Sequence, residues 1–165
     1  MVWAQSLAKS PAIIALAAGL ALAGCAKQKL PDNAGGLGLN SATPGSQQDF
    51  TVNVGDRVFF ETDSSALTST ARATLDKQAQ WLAQYTNYPI TIEGHADERG
   101  TREYNLALGA RRAAATRDYL QARGIPSNRI RTISYGKERP VAVCNDISCW
   151  SQNRRAVTLL AAPSG

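Results

Sequence analysis

An acidic and a basic side chain stand where a loop and a helix could bring them together. Asp97 lies in residues 94–101 (GHADERGT), directly after the alternating, strand-like run 90–93. Asn105, Leu108 and Arg112 follow at spacings i, i+3 and i+7, so they share one face of a helix. Arg112 is thereby placed to point at the loop that holds Asp97. A carboxylate takes an ammonium and a guanidinium forks onto a carboxylate, so the pair suits a zwitterionic ligand.

The surrounding elements follow from periodicity and turn signals. Apolar residues recur every three or four positions over 67–82, which predicts an amphipathic helix capped by Ser69 or Thr70. A second helix is predicted over 103–123, with its buried stripe at Leu106, Ala110, Ala113, Arg117 and Leu120. Strands are predicted at 51–54 and 57–60, joined by a tight turn at Gly55-Asp56, and at 90–93, 131–135 and 156–160. This order predicts an α+β two-layer sandwich, with a mixed parallel and antiparallel sheet and both helices on one face.

The length and composition limit the number of domains and the classes of site that the chain can hold. The chain has 165 residues, 18 Lys and Arg against 13 Asp and Glu, one His and three Cys. This length allows one domain of ordinary size plus accessory segments. One His and three Cys exclude His-rich metal sites and zinc fingers held by four thiolates. The formal net charge of +5 would suit a nucleic-acid binder, but the N-terminus, described next, has the pattern of an export leader and argues against nucleic acid as a partner.

The N-terminus has the pattern of an export leader followed by a linker. Lys9 precedes the apolar run 12–24, which is too short to span a bilayer, since spanning takes about 20 residues. The run ends Leu22-Ala23-Gly24-Cys25, which resembles the lipobox of bacterial lipoproteins. That resemblance implies a signal peptide at 1–24 and a lipid on the Cys25 thiol. Residues 26–49 are rich in Gly, Pro, Ser, Asn and Gln, so they are predicted to form a flexible linker.

Three segments match a known family. They are residues 94–101 (GHADERGT), residues 104–113 (YNLALGARRA), and residues 134–140 (SYGKERP) taken with 153–157 (NRRAV). Together they resemble the OmpA-like peptidoglycan-binding domain, and in particular its lipoprotein members, over about 57–160. The resemblance implies an OmpA-like two-layer fold at 50–162, with no enzymatic activity, no cofactor and no metal.

The resemblance also assigns a ligand to the charged pair. It implies meso-diaminopimelate of the peptidoglycan stem peptide, which carries an amine and a carboxylate on one side-chain carbon. It implies that Asp97 binds this amine and that Arg112 binds this carboxylate. The other residues implied at the pocket and its wall are Asn105, Leu108, Phe60, Thr62 and Asp63.

Two positions depart from the family's pattern. Gly109 stands where many members have Ser, and we expect little effect from this difference. Glu61 stands where Asp is frequent, which leaves the contacts of that wall open.

The resemblance further implies where the protein works and with what. A lipid at Cys25 would hold the outer membrane while the domain faces the periplasm, and Ala26 at the next position favours outer over inner membrane. Peptidoglycan would be the ligand. TolB and other Tol proteins would be partners, in envelope integrity and in constriction at cell division.

Other interpretations remain open from the residues alone. Asp97 and Arg112 could form a purely structural salt bridge. A periplasmic cell-wall hydrolase, or another periplasmic enzyme, could use Glu93, His95 and Asp97, with Glu98, as acid, base or metal groups, although a single His makes such a set thin. We expect His95 instead to hold its loop by hydrogen bonds. Arg154 and Arg155 are expected to be solvated or in surface pairs.

Cys144 and Cys149 are predicted to form a local disulfide. They are separated by four residues, and an oxidising compartment favours the bond. A loop this small gains about 2 kcal/mol from the cross-link. A redox pair or a metal site is the alternative, but the spacing lacks the usual redox pattern.

Overall fold

The computed structural model describes residues 42–162. The predicted signal peptide, Cys25 and the linker up to residue 41 lie outside the described residues. The helices are α1 (Gln47–Asp49, continuing as a π-helical segment Phe50–Gly55), α2 (Ser69–Gln84), α3 (Arg102–Ala122) and α4 (Ile147–Asn153). The strands are β1 (Arg57–Phe59), β2 (Ile90–His95), β3 (Ile130–Gly136) and β4 (Arg155–Leu160).

The four strands form one mixed sheet in the order β1-β4-β2-β3. β2 and β3 are parallel, as the crossover through α3 requires, and β4 is antiparallel to both of its neighbours. The two long helices contact each other and the sheet, so they lie together on one face. This arrangement confirms the predicted two-layer α+β fold with a mixed sheet. No helix within residues 42–162 is both long enough and apolar enough to cross a bilayer.

The core lies between the two long helices and the sheet. Its most deeply buried apolar side chains come from both layers: Leu75 and Leu82 of α2, Leu120 of α3, and Ile90 and Ile92 of β2. One polar side chain crosses this layer. Gln78 of α2 donates to the Gly55 carbonyl at 2.6 Å and accepts from the Thr158 hydroxyl at 2.9 Å, so its amide is satisfied although it is fully buried.

The predicted strand at 51–54 is wrong, because these residues are helical. Phe50 is buried edge-on against the ring of Trp81, with centroids 5.0 Å apart, while Val52 is exposed. Asp49 accepts hydrogen bonds from Trp81 Nε1 at 2.8 Å and from the Gly45 amide at 2.9 Å. Residues 45–49, which the sequence assigns to the linker, are therefore docked on α2.

The helix boundaries are close to those predicted, but the caps and the buried face differ. Thr68, rather than Ser69 or Thr70, caps α2 by accepting from the Ala71 amide. Leu106 is exposed, and the predicted stripe through it is wrong. The buried face of α3 holds Asn105, Leu108, Gly109, Arg112, Ala113, Thr116 and Leu120. This face includes the residues that the sequence set aside as a separate ligand-facing row.

Helix α3 lies unusually close to β2 because both contact positions are glycine. A Cβ placed on Gly94 would lie 1.8 Å from the Gly109 carbonyl oxygen. A Cβ on Gly109 would lie 2.4 Å from Ser134 Oγ and 2.8 Å from the Gly94 carbonyl oxygen. A larger side chain at Gly109 would therefore require β2 or the Ser134 side chain to shift, while the expectation that Gly in place of Ser matters little for the site stays a prediction.

Candidate ligand-binding cleft

An open cleft lies where β2 ends and the chain turns into α3. One wall is the loop that leads into α3 together with the first turns of that helix, and the other is the segment that follows β1. The cleft has a volume of about 270 Å³ and is lined by Thr62, Asp63, Asp97, Arg99, Gly100, Tyr104, Asn105 and Leu108. Five of the residues predicted for the ligand site thus lie in one place: Thr62, Asp63, Asp97, Asn105 and Leu108.

Two carboxylates, those of Asp63 and Asp97, line the cleft, and Arg99 binds that of Asp97 through two side-chain hydrogen bonds. Arg99 Nε donates to Oδ1 at 3.1 Å and its Nη2 donates to Oδ2 at 2.6 Å, while the Arg99 amide also donates to Oδ1. Arg154 Nη1 approaches Oδ2 at 3.4 Å from the buried side. Burial alone would raise the pKa of Asp97, but these hydrogen bonds hold it below its usual value. Asp97 is therefore ionised at neutral pH.

Arg112 is not part of the cleft lining. Its side chain is fully buried, and its Nε, Nη1 and Nη2 donate to the carbonyls of Ser64 (2.8 Å), His95 (2.8 Å) and Glu61 (3.1 Å). Burial lowers the pKa of Arg112 to about 10, and the charge of Asp97 opposes that change, so the guanidinium stays charged. The side chains of Arg112 and Asp97 therefore interact electrostatically, without a hydrogen bond between them.

The second wall is shaped by the segment that Arg112 holds. Asp63 adopts φ 57°, in the left-handed region that Asp tolerates better than most residues, and its carboxylate accepts a hydrogen bond from the Tyr104 hydroxyl. Phe60 does not line the cleft. It is buried beneath Arg112, whose Cζ lies 5.2 Å from the ring centroid. Glu61 contributes its carbonyl to Arg112 while its side chain is exposed, so the Asp-to-Glu difference leaves this wall contact in place.

Three elements hold the loop between β2 and α3. Asn105, the first fully buried residue of α3, donates from Nδ2 to the Arg99 carbonyl at 2.7 Å. Lys137, just after β3, donates to the carbonyls of Glu98 and Gly100 at 3.1 and 2.7 Å. Trp150 of α4 donates from Nε1 to Glu98 Oε1 at 2.8 Å. The loop is fixed from three sides, so Asp97 is held in place without a ligand.

Trp150 also contacts the guanidinium of Arg99, which lines the cleft. The guanidinium carbon of Arg99 stands 4.2 Å from a ring centroid of Trp150, a cation–π distance. Trp150 is carried by α4, which the sequence did not predict. A disulfide links Cys149, in the first turn of α4, to Cys144 in the loop before this helix, with Cα atoms 5.6 Å apart. This bond confirms the predicted disulfide. Asp146 caps α4 by accepting from the Ser148 amide.

The side chains of the enzymatic alternative are not assembled in the cleft. Neither Glu93 nor His95 lines it. His95 is 1% exposed, with its ring stacked on Tyr135 at 5.7 Å, and neither of its ring nitrogens has a hydrogen-bond partner. The expectation that this ring holds the loop by hydrogen bonds is therefore wrong. It is the His95 carbonyl that is used, by Arg112. No cluster of three potential metal ligands occurs among residues 42–162.

Burial sets the charge state of His95. Burial first, and then the positive charges of Arg155 and Arg139, lower the pKa of His95 to about 4. Its 3.5 Å contact with the Glu93 carboxylate is therefore a contact of a neutral ring at neutral pH.

Sequence reasoning missed Arg99, Tyr104 and Arg154. Arg99 stands in the segment 94–101 that carries Asp97, and Tyr104 begins the segment 104–113, so their presence near the cleft could have been predicted from these two segments. Arg154 reaches Asp97 only because β4 lies beside β2 in the sheet, which no local pattern reveals. The expectation that Arg154 and Arg155 are solvated is wrong, since both are buried, at 5% and 4% exposure.

Comparison with known proteins agrees with this fold. The OmpA family model matches residues 59–154, which is more than half of the chain. The chain therefore belongs to the OmpA family.

Individual relatives show to which group within the OmpA family the chain is most similar. A peptidoglycan-associated lipoprotein of Rhizobium meliloti (strain 1021) is 75% identical over 94% of this chain and 90% of its own length. One of Agrobacterium fabrum (strain C58 / ATCC 33970) is 70% identical over the same shares of the two chains. The crystal structure of the peptidoglycan-associated lipoprotein from Burkholderia pseudomallei is 42% identical, with a TM-score of 0.63, and covers 64% of this chain and 90% of that one. Within the family the chain is thus one of the peptidoglycan-associated lipoproteins.

Proposed function

We propose that this protein binds peptidoglycan without covalent chemistry, by taking the meso-diaminopimelate side chain of the stem peptide into the cleft. The observation that carries the proposal is the ionised Asp97 at an open cleft, with cationic side chains beside it. An amine and a carboxylate on one carbon match such a pair of opposite charges. The name printed for the relatives, peptidoglycan-associated lipoprotein, supports the same ligand.

The test is sedimentation with purified peptidoglycan. We expect the wild-type domain to sediment with a diaminopimelate-type wall, to be released by free meso-diaminopimelate, and to bind a lysine-type wall weakly, because lysine lacks the second carboxylate. Asp97→Asn should abolish sedimentation. Asp118→Asn is the matched control, since Asp118 is an exposed carboxylate paired with Arg117 away from the cleft.

Two results would overturn this function. Retained sedimentation of Asp97→Asn would locate binding elsewhere. Release of soluble fragments from the wall by the wild type would favour the hydrolase built on Glu93, His95 and Asp97.

The proposal includes a lipid anchor. A lipidated Cys25 would hold the outer membrane while the domain binds the wall, so that one chain ties the two layers together. Its support is the lipobox-like Leu22-Ala23-Gly24-Cys25 and the word lipoprotein in the names of the relatives. Labelled palmitate should enter the wild type and not Cys25→Ala, and the variant should leave the outer-membrane fraction. Incorporation of label into Cys25→Ala would contradict the anchor.

The proposal also includes the Tol proteins as binding partners. TolB is the expected partner, and a role in constriction at cell division is the expected use; both are supported by membership of the family. Purified TolB should bind the domain in solution. Absence of binding at micromolar concentrations, with a folded domain, would remove TolB from the proposal.

A further inference from the structure

The two long helices cover one face of the sheet and leave the other face open. Val58, Ile92 and Ala156 belong to the core, so their side chains point towards the helices. Successive side chains of a strand point to opposite faces, so the neighbours of these residues along each strand point away from the helices. The register of the strands places these neighbours in rows across the open face, with Arg57, Val157, Glu93 and Ile133 in one row and Leu159 and Arg131 in the next.

Large apolar side chains are exposed on this open face. Phe59, Ile133 and Leu159 are 47%, 41% and 38% exposed. They belong to β1, β3 and β4, so they are spread over the width of the sheet. Exposed apolar side chains that share one surface indicate a contact site.

The same face is positively charged. Arg131 is exposed, and the exposed guanidinium of Arg139, just after β3, lies 3.5 Å from the ring centroid of Tyr135. The carboxylate of Glu93 lies 3.9 Å from Arg139 Nη1, and its side chain is largely buried. Arg57, at the other edge, pairs with Asp56. Because both carboxylates already have an arginine beside them, Arg131 gives the face a net positive charge.

An anionic phospholipid bilayer fits a broad face of this kind. Its headgroups attract arginine side chains, and apolar side chains enter the boundary between headgroups and acyl chains. A lipid at Cys25 would keep such a bilayer close, since only residues 26–44 separate Cys25 from the segment that docks on α2. A surface contact made by a tethered domain is intramolecular in effect, so a weak attraction is enough to populate it.

We propose that the open face of the sheet is a second binding surface of this protein, and that it docks on the anionic phospholipid surface of the membrane that holds the anchor. The inference goes beyond wall binding, because neither Arg131 nor Ile133 lines the cleft. It rests on the proposed anchor only for the high local concentration of lipid.

The test is flotation with lipid vesicles of the mature chain, residues 25–165, carrying Cys25→Ser so that no lipid is attached. One set of vesicles is phosphatidylcholine alone, and in the other about a third of the lipid is phosphatidylglycerol. The chain should float with the anionic vesicles and not with the neutral ones. Added salt should release it, because salt screens the attraction between surface charges.

Two substitutions in this chain test the face itself. Arg131→Gln should weaken binding to the anionic vesicles about fivefold, which is the contribution of one arginine at such a surface. Ile133→Ser should weaken it several-fold, because an apolar side chain no longer enters the bilayer boundary. Arg72→Gln is the matched control, since it removes the same charge from an exposed position on α2, in the other layer. Circular dichroism checks that each variant is folded, and all three should still sediment with peptidoglycan.

Three results would overturn the inference. The first is a folded chain that does not float with anionic vesicles, or that floats equally with neutral ones. The second is an equal loss in Arg131→Gln and Arg72→Gln, which would attribute binding to the overall charge of the chain. The third is a dimer, measured by light scattering, that Ile133→Ser dissociates, which would make the face an interface between two copies. Wall binding and lipid attachment are measured separately, so either can fail or stand without changing these outcomes.

Discussion

At the scale of single residues, Arg112 of α3 binds two other parts of the backbone. Its guanidinium donates to carbonyls after β1 (Glu61 and Ser64) and at the end of β2 (His95). Without the side chain, these buried or partly buried carbonyls would lose charged donors that water replaces poorly. The residue thus shapes both walls of the cleft from behind.

The first prediction concerns this residue. Arg112→Ala should lower the free energy of unfolding by about 3 kcal/mol, because one buried and two partly buried carbonyls lose a charged donor. Arg112→Lys should recover only part, since an ammonium cannot reproduce the planar fork. Urea denaturation measures both. Unchanged stability together with lost wall binding would instead support the direct ligand contact implied by the family resemblance.

The second prediction concerns His95 and pH. The ring has a pKa of about 4 in the folded protein against an ordinary value of 6.5, so the unfolded chain takes up a proton at a higher pH than the folded one. The contribution of His95 to stability is complete above about pH 6.5 and is lost as the pH falls towards 4. The loss should approach 3 kcal/mol, an order-of-magnitude value of about 1.4 kcal/mol per pH unit.

The measurement is the free energy of unfolding of the wild type and of His95→Phe between pH 7 and pH 4. Other carboxyl groups titrate in the same range, so the difference between the two proteins is the quantity of interest. Phe keeps an aromatic ring on Tyr135 and removes the titration. The wild-type curve should fall more steeply than that of the variant, and parallel curves would contradict the low pKa.

At the scale of elements, the contact between α3 and β2 sets the depth of the cleft. The two meet at Gly94 and Gly109, and Ser134 of β3 closes the contact by donating to the Leu106 carbonyl at 2.7 Å. Asn105 and Leu108 stand in the turn just before this contact. Any change in the spacing of α3 from the sheet therefore moves the floor of the cleft.

The third prediction tests that contact. Gly109→Ser should destabilise the fold by about 2 kcal/mol, because the new side chain would overlap Ser134 Oγ and the Gly94 carbonyl. Ala110→Ser, one position along on the exposed side of α3, should change stability by less than about 0.5 kcal/mol. Combining Gly109→Ser with Ser134→Ala should recover part of the loss. Equal effects of the two serine substitutions would show that the contact is not tight.

Periodicity predicted the elements well where several turns or several alternations were available. The helices over 67–82 and 103–123 and the last three strands lie within a few residues of the observed ones. Residues 51–54 were misassigned because four alternating residues fit a strand and a short helix equally, and the docking of Phe50 on Trp81 decides between them.

The sequence predicted most of the residues that lie at the cleft, but it did not predict how deeply each side chain is buried. Spacing along α3 correctly grouped Asn105, Leu108 and Arg112 on one face. A helical face does not state how far each side chain lies from solvent, so the complete burial of Arg112 could not be read from it. The approach of Arg154 depends on the order of strands in the sheet, which arises from long-range pairing.

At the scale of the whole molecule, the segment that enters the domain is part of its core. Phe50 is 1% exposed against Trp81, and Asp49 accepts from Trp81, Gly45 and Asn53. These hydrogen bonds, that from Trp81 first, lower the pKa of Asp49 below its usual value. The Tyr88 hydroxyl, from the segment between α2 and β2, donates to the Gly45 carbonyl at 3.0 Å.

The fourth prediction tests this docking. Phe50→Ala should lower the free energy of unfolding by about 3–4 kcal/mol, the usual cost of emptying a buried aromatic site. Val52→Ala, two positions on and 58% exposed, should cost less than about 0.5 kcal/mol. Denaturant titration of the two variants gives the comparison. A small effect at Phe50 would mean that residues 45–55 are not part of the cooperative unit.

The docked entry segment limits the length of any tether. Twenty peptide units join Cys25 to Gly45, and a chain of that length spans at most about 70 Å even when drawn straight. If Cys25 is fixed in a membrane and the cleft in the wall, a wider gap would put the chain under tension. That tension would act first on α1 and, through the contact of α1 with Trp81, on α2. The loop that carries Asp97 lies elsewhere, after the end of β2. Mechanical strain between the two layers would therefore tend to peel away the first helix before it reached the binding site.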